Sequence, residues 1–98
     1  MTSKQRAYLR GLASQMEPIC HVGKASITPE VIESIREAIE KRELVKIAIL
    51  KNCFDDPREI AELVAERTRS EVVTVIGKKF VLFKQAKENS KIELPKVK

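Results

Sequence analysis

EPICHVGKASITPE, residues 17–30, joins a short β-prone run to a glycine turn and then to the start of a helix. The run that stops at Gly23 predicts a strand, while Thr28 and Pro29 supply an N-cap and a first helical residue. Lys24 stands in the turn between them. A strand that leads through a glycine and a lysine to the amides of a helix start is typical of a phosphate site. The stretch therefore predicts a phosphate-binding site at a strand–helix junction.

Apolar periodicity on either side of this junction predicts the other elements. Gly77 and Lys78 separate two β-branched and aromatic runs, which indicates a hairpin with a type II′ turn. The predicted order is α-β-α-β-α-β-β, and the fold class is α/β (α+β), a compact domain with a four-stranded mixed sheet and packed helices. The helices are predicted at 3–16, from Pro29 and from Pro57, and the strands at 18–22, 43–50, 72–76 and 79–84.

Two strand–helix–strand crossings favour parallel pairing of the strands that they join. The last strand is apolar on both faces, so we expect it to be covered on both sides. In the helices and the second strand the apolar positions form stripes. The predicted core includes Val31, Ile32, Ile35, Ala38 and Ile39 of the second helix, Val45, Ile47 and Ile49 of the second strand, and a stripe of Ile60, Leu63, Val64 and Arg67 in the third helix.

The 98-residue chain has a formal net charge of +5, and this charge is unevenly distributed. Residues 1–27 carry +3, residues 28–71 carry −3, and residues 72–98 carry +5. A fold that brings the two ends together would have a basic face opposite an acidic helical face, which is the electrostatic footprint of a nucleic-acid binder. The alternative from charge alone is a solvated surface with basic tails. We expect one domain over residues 1–85 and a lysine-rich tail over 86–98.

Composition argues against several other classes of protein. The polar, basic start and the lack of a long apolar run predict a cytoplasmic protein without a signal peptide or a membrane span. Cys20 and Cys53 are interpreted as reduced, semi-buried thiols, and Cys20 should point away from His21, which argues against a cysteine hydrolase. Asp55 and Asp56 are interpreted as helix caps, not as metal ligands. No cofactor and no metal are expected.

Three segments together resemble the CRM domain, named for chloroplast RNA splicing and ribosome maturation. They are VGKASIT at 22–28, ELVKIAILKN at 43–52 and VIGKKFVLFK at 75–84. The chain is similar to the bacterial stand-alone form, the YhbY family, over nearly its whole length. The resemblance implies a fold like the C-terminal domain of translation initiation factor 3, RNA binding, and association with precursors of the large ribosomal subunit in ribosome assembly.

The resemblance also implies an RNA-binding loop, since the family's Gly-x-x-Gly motif falls on Gly23, Lys24, Ala25 and Ser26. Ser26 replaces the second glycine, and a serine resists the positive φ that glycine adopts freely. Lys24 is the expected phosphate contact. The family's Tyr-Arg pair at the end of the hairpin is matched by Phe83 and Lys84. Arg6, Arg10, Lys78, Lys79 and Lys84 are predicted to form a supporting basic surface.

Aromatic content is only 4%, so base stacking across a sheet surface lacks a platform and recognition should depend on backbone and shape. Two other classes stay open. A protein-interaction adaptor could use the acidic faces of the second and third helices. A phosphate-handling enzyme is the second alternative, but GKAS is too short for a P-loop. We expect an RNA-binding protein that is monomeric and not an enzyme.

Overall fold

Seven elements follow one another in the order that the sequence predicts, in a computed structural model that describes residues 1–24, 26–86 and 92. Local signals account for the helix starts. Thr28 and Asp56 act as N-caps that accept from the backbone N–H groups of Val31 and Glu59, each followed by a proline. The elements are α1 (Ser3–Ala13), β1 (Cys20–Val22), α2 (Pro29–Arg42), β2 (Leu44–Ile49), α3 (Pro57–Thr68), β3 (Glu71–Ile76) and β4 (Lys79–Phe83).

The first helix and the first strand are shorter than predicted. The α1 helix ends at Ala13, and the ammonium Nζ of Lys46 donates to the carbonyl oxygens of Ala13 and Met16 at 3.4 and 3.3 Å. These carbonyls find a partner in another element, so the helix stops without continuing to Met16. The β1 strand is in register with β2 over Cys20–Val22, and one further bond, from Ile19 N to the carbonyl of Lys46 at 2.9 Å, precedes it. Pro18 has no N–H and cannot extend the ladder.

The four strands form one mixed sheet in the order β1-β2-β4-β3. The first crossing behaves as predicted, since β1 pairs with β2 in parallel. At the second crossing the prediction of parallel neighbours is wrong: β2 and β3 run the same way, but β4 lies between them and pairs antiparallel with both. Strand β4 is apolar on both faces, so a central position in the sheet stabilises it by burying both faces. Strand β3 carries Glu71 and Thr74 and can lie at the edge of the sheet.

Each face of the sheet has its own hydrophobic cluster. Helices α2 and α3 cover one face through the residues expected there, including Ile35, Ile39, Ile60 and Val64. Helix α1 covers the other face, where Leu9 and Ala13 pack against alternate residues of β4. The predicted double coverage of β4 is thus confirmed, with Phe80 and Leu82 in the first cluster and Val81 and Phe83 in the second.

The buried stripe of α3 differs from the prediction. Leu63 and Arg67 are exposed, while Ala61, Ala65 and Thr68 join Ile60 and Val64 in the buried set. The helix packs through its small residues, because they let its backbone approach the strands closely. Polar Arg67 consequently stays in solvent.

The predicted tail, 86–98, falls almost wholly outside the described residues. Within it, Ile92 packs against the hydrophobic cluster on the α1 side of the sheet. In the segments that the structure describes, no helix is long and apolar enough to cross a membrane.

Candidate nucleic-acid interface

Three loops meet at one end of the sheet, which we call the loop end and define as residues 23–28, 50–56 and 77–79. The parallel strands β1 and β2 both finish there, and the hairpin joins them. Leu50 N donates to the carbonyl of Val22 at 2.8 Å, and Ile49 N donates to the carbonyl of Lys78 at 2.7 Å. The topology thus places the Gly23 turn and the hairpin at the same end of the sheet, on either side of the end of β2.

Exposed lysines are concentrated at the loop end. Lys24, Lys78 and Lys79 come from the predicted site, and all three side chains are exposed. The structure adds Lys51, also exposed, which our sequence reasoning missed. Its signal was available, because Lys51 lies two residues after β2 and the carboxyl ends of parallel strands share one edge of a sheet.

The Gly23–Ser26 loop is a tight turn in which Ser26 N donates to the carbonyl of Gly23 at 2.9 Å. Ser26 has a φ of 58°, so it adopts the left-handed conformation that the second glycine of the family motif would take. Serine disfavours this conformation, but Ser26 adopts it here. A residue with a Cβ pays about 1 kcal/mol or more for the left-handed region. Ala25 lies outside the described residues.

Gly23 is not held in a conformation that requires glycine, since it has no positive φ. A Cβ placed there would meet Leu50 Cδ1 at 3.6 Å and Asn52 Oδ1 at 3.9 Å, which is ordinary van der Waals contact. The position of the missing side chain therefore faces Leu50 and Asn52 of the neighbouring loop and not open solvent. An alanine would fit here in ordinary contact, so the geometry of the turn does not itself require glycine at this position.

The amides at the start of α2 contribute less than the sequence suggested. Thr28 Oγ1 accepts from Val31 N at 3.2 Å, and Pro29 has no N–H. The Glu30 amide is left in the first turn, beside a carboxylate that repels anions. The expected phosphate site at this helix start is therefore reduced, and the turn and its lysines carry the positive charge.

Arg6 and Arg10 lie away from the loop end, in a groove along the outer edge of β3. Arg58 of α3 lines the same groove, a neighbour that the sequence did not predict. Two carboxylates, Glu62 and Glu71, also line it. The groove is consequently of mixed charge, unlike the lysine-bearing loops.

Lys84 lies at the opposite end of the sheet, just after β4. Its backbone N–H donates to the carbonyl of Glu43 at 2.9 Å, while the loop end is reached at Lys79, where β4 begins. The predicted basic surface therefore divides into three separate places: the loop end, the β3 groove and the far end of the sheet.

The aromatic residues do not form a stacking platform on the sheet. Phe80 and Phe83 are buried between the sheet and its helices, as expected from the low aromatic content. Tyr8 is partly exposed on α1, and Phe54 is exposed in the loop after β2.

Cys20 is half-buried on the edge strand β1, and burial raises the pKa of its thiol. It is thus protonated and a poor nucleophile at neutral pH. His21 is exposed on the opposite side of the strand. Within the described ranges, no group of three or more His, Cys, Asp or Glu side chains could hold a metal ion.

Comparison with known proteins finds a matching family model and named relatives. The family model of the CRS1/YhbY (CRM) domain matches residues 1–84. The chain is 43% identical over 95 residues to YqeI of Bacillus subtilis, named a probable RNA-binding protein, with 97% of this chain and 99% of YqeI covered. It is 28% identical over 96 residues to an RNA-binding protein of Haemophilus influenzae, covering 98% and 96% of the two chains.

A solved structure is similar along the whole fold. The solution structure of the hypothetical protein SAV1595 from Staphylococcus aureus superposes with a TM-score of 0.83 at 47% identity, covering 97% of this chain and 99% of that one. The likeness to the C-terminal domain of translation initiation factor 3 stays a prediction.

Proposed function

The chain belongs to the CRS1/YhbY (CRM) domain family, and from this premise we propose that it binds RNA at the loop end of its sheet, on precursors of the large ribosomal subunit. The observation that carries the proposal is that Lys24, Lys51, Lys78 and Lys79 are all exposed at the end of the sheet that also holds the Gly23 turn. The relatives' names support RNA as the ligand. The ribosomal assignment comes from the family resemblance.

Binding at this site depends mainly on phosphate. Flexible lysine side chains neutralise phosphates as point charges, and such contacts do not distinguish one base from another. The backbone of Gly23 and Lys24 can donate N–H groups to a phosphate oxygen once the ligand is close. We therefore propose recognition by backbone and shape, without catalysis and without a cofactor.

The other predicted contacts have secondary roles. Arg6, Arg10 and Arg58 could guide a strand of RNA along the β3 groove, although Glu62 and Glu71 reduce the local positive charge. Lys84 is too far along the sheet to share a phosphate with Lys24. An assembly role further implies a cytoplasmic location and a monomer that binds and leaves its particle.

Sedimentation of cell extract tests the ribosomal part of the proposal. At low salt, the wild-type protein should co-migrate with incomplete large-subunit particles and move to the free fraction as salt rises. A Lys24→Glu/Lys78→Glu variant should stay in the free fraction, while a matched Lys84→Glu/Lys41→Glu variant should migrate like the wild type. Wild-type protein found only in the free fraction at low salt would contradict the proposal.

A further inference from the structure

Phe54 is the most exposed large apolar side chain in the described part of the chain, at 92% of its full accessibility. The other phenylalanines, Phe80 and Phe83, are buried. Single exposed apolar residues are common, but a nearly bare aromatic ring is a costly surface feature. Its position, in the loop between β2 and α3, is at the loop end.

The backbone on both sides of Phe54 is anchored. Cys53 is buried in the core, and its N–H donates to the carbonyl of Leu50 at 3.0 Å. Asp56 caps α3 through its carboxylate, which accepts from Glu59 N at 3.2 Å. The ring is thus presented to solvent from a short segment that is tied to the fold at each side.

The end of the sheet that carries Phe54 also carries other exposed apolar side chains and exposed lysines. Leu50, also at the loop end, is 42% exposed, and Ile76, the last residue of β3 before the hairpin turn, is 65% exposed. The four exposed lysines of this end belong to the same three loops. An apolar patch alone would suit a protein, whereas an aromatic ring among lysines suits a nucleic acid, whose phosphates and bases lie side by side.

We propose that Phe54 stacks on an unpaired base of the RNA whose phosphates are held by the lysines of the loop end. This inference rests on the proposed function and names its ligand class: RNA with an unpaired nucleotide, as in a single strand, loop or bulge. Asp55 and Asp56 follow Phe54 directly in the chain and repel phosphate, so the neutral face of a base is the part of the ligand that fits here. A continuous duplex keeps its bases stacked on one another and cannot offer one.

Affinity measurements on two RNAs test the inference: a single-stranded oligonucleotide, and the same strand annealed to its complement. Phe54→Ala should weaken binding of the single strand about tenfold, because stacking on one aromatic ring contributes on that order, and leave duplex binding unchanged. Phe54→Leu is the matched control. It keeps apolar volume without a ring, so stacking requires it to bind as weakly as Phe54→Ala.

A conservative variant gives a direct signal. The chain contains no tryptophan, so Phe54→Trp introduces a unique fluorophore. We expect it to retain affinity and to lose fluorescence on titration with the single strand but not with the duplex. Thermal unfolding should be the same for all three variants, because the side chain is exposed.

Two results are distinguishable as failures. Normal single-strand binding by Phe54→Ala, together with weakened binding by Lys24→Glu, would overturn the stacking contact and leave the loop-end site in place. Normal binding by both variants would overturn the site itself. Full retention of affinity by Phe54→Leu would also overturn stacking, because a general apolar contact would then be sufficient.

Discussion

The two ends of the sheet differ in how they use their polar groups. At the end opposite the loop end, which we call the closed end (Glu43, Glu71 and residues 84–86), polar groups bond to the protein. Glu43 is buried and has a φ of 64°, its carbonyl accepts from Lys84 N, and its carboxylate accepts from Ala86 N at 3.1 Å. At the loop end Thr28 and Asp56 cap helices, but Lys24, Lys51, Lys78 and Lys79 are all exposed to solvent. Ser26 at the same end has a positive φ.

This contrast indicates that the two ends of the sheet have different roles: polar groups stabilise the fold at the closed end and are available to a ligand at the loop end. Polar groups that are bonded internally hold the chain in place, because an unpaired buried group would be costly. Exposed cations contribute little to folding and are available to a ligand. Changes at the closed end should therefore alter stability and not RNA affinity, and changes at the loop end should do the opposite.

The largest expected effect lies in the core that joins the two ends. Ile47 is fully buried in the middle of β2. Ile47→Ala should lower the free energy of unfolding by about 2–5 kcal/mol, since it removes buried methyl groups and leaves a cavity. Chemical denaturation measures this directly. A loss below about 1 kcal/mol would mean that β2 is not central, and so would rapid amide exchange over residues 45–49.

A smaller loss is expected at the closed end. Glu43→Ala should destabilise the protein by about 1–3 kcal/mol, because the N–H of Ala86 loses its buried acceptor. The Glu43→Gln variant keeps an acceptor oxygen of similar reach and should lose less. RNA affinity, measured well below the melting temperature, should be unchanged in both. Weakened RNA binding by folded Glu43→Gln would break the proposed separation of the two ends.

The third prediction concerns affinity at the loop end. Lys24→Glu should weaken RNA binding about tenfold, as expected for the loss of one charge-assisted contact, without a change in melting temperature. Lys24→Ala should reduce the magnitude of the salt slope for single-stranded RNA by about 0.7. Lys84→Ala, at the closed end, is the matched control and should leave the slope unaltered. Equal effects from both lysines would indicate that RNA binds to one diffuse basic surface that includes both ends of the sheet.

The smallest expected effect is at Ser26. Ser26→Gly relieves the left-handed strain, and although glycine gains freedom in the unfolded chain, the net result should be a stabilisation of up to about 1 kcal/mol. RNA affinity should hold or rise, because the family's glycine pattern is restored. Thermal unfolding and one binding curve are sufficient to check both. A clear fall in stability would show that the serine side chain supports the loop.

Much of the fold was predictable because its signals are local. Thr28, Asp56 and Gly77 act through their immediate neighbours; Gly77 has the positive φ of a type II′ turn, at 56°, and Lys78 does not. The insertion of β4 between β2 and β3 was not predicted, since strand order depends on packing between distant segments. The apolar character of both β4 faces was the available signal for a central strand.

The candidate site was predicted less completely, for the same physical reason. Gly23, Lys24, Lys78 and Lys79 do come to one end of the sheet. Lys51 was not predicted as a site residue because its position at the loop end depends on the parallel alignment of β1 and β2. Lys84 was grouped with the loop by its place in the hairpin, although the length of β4 carries it to the other end.

Amide chemical shifts recorded by NMR during titration with a single-stranded RNA test the central claim most directly. The account predicts that the largest changes occur at Gly23, Lys24, Lys51 and Lys78, with the amides of Glu43, Lys84 and Ala86 nearly unmoved. Changes concentrated at the closed end or along α1, with the loop-end amides unaffected, would contradict it.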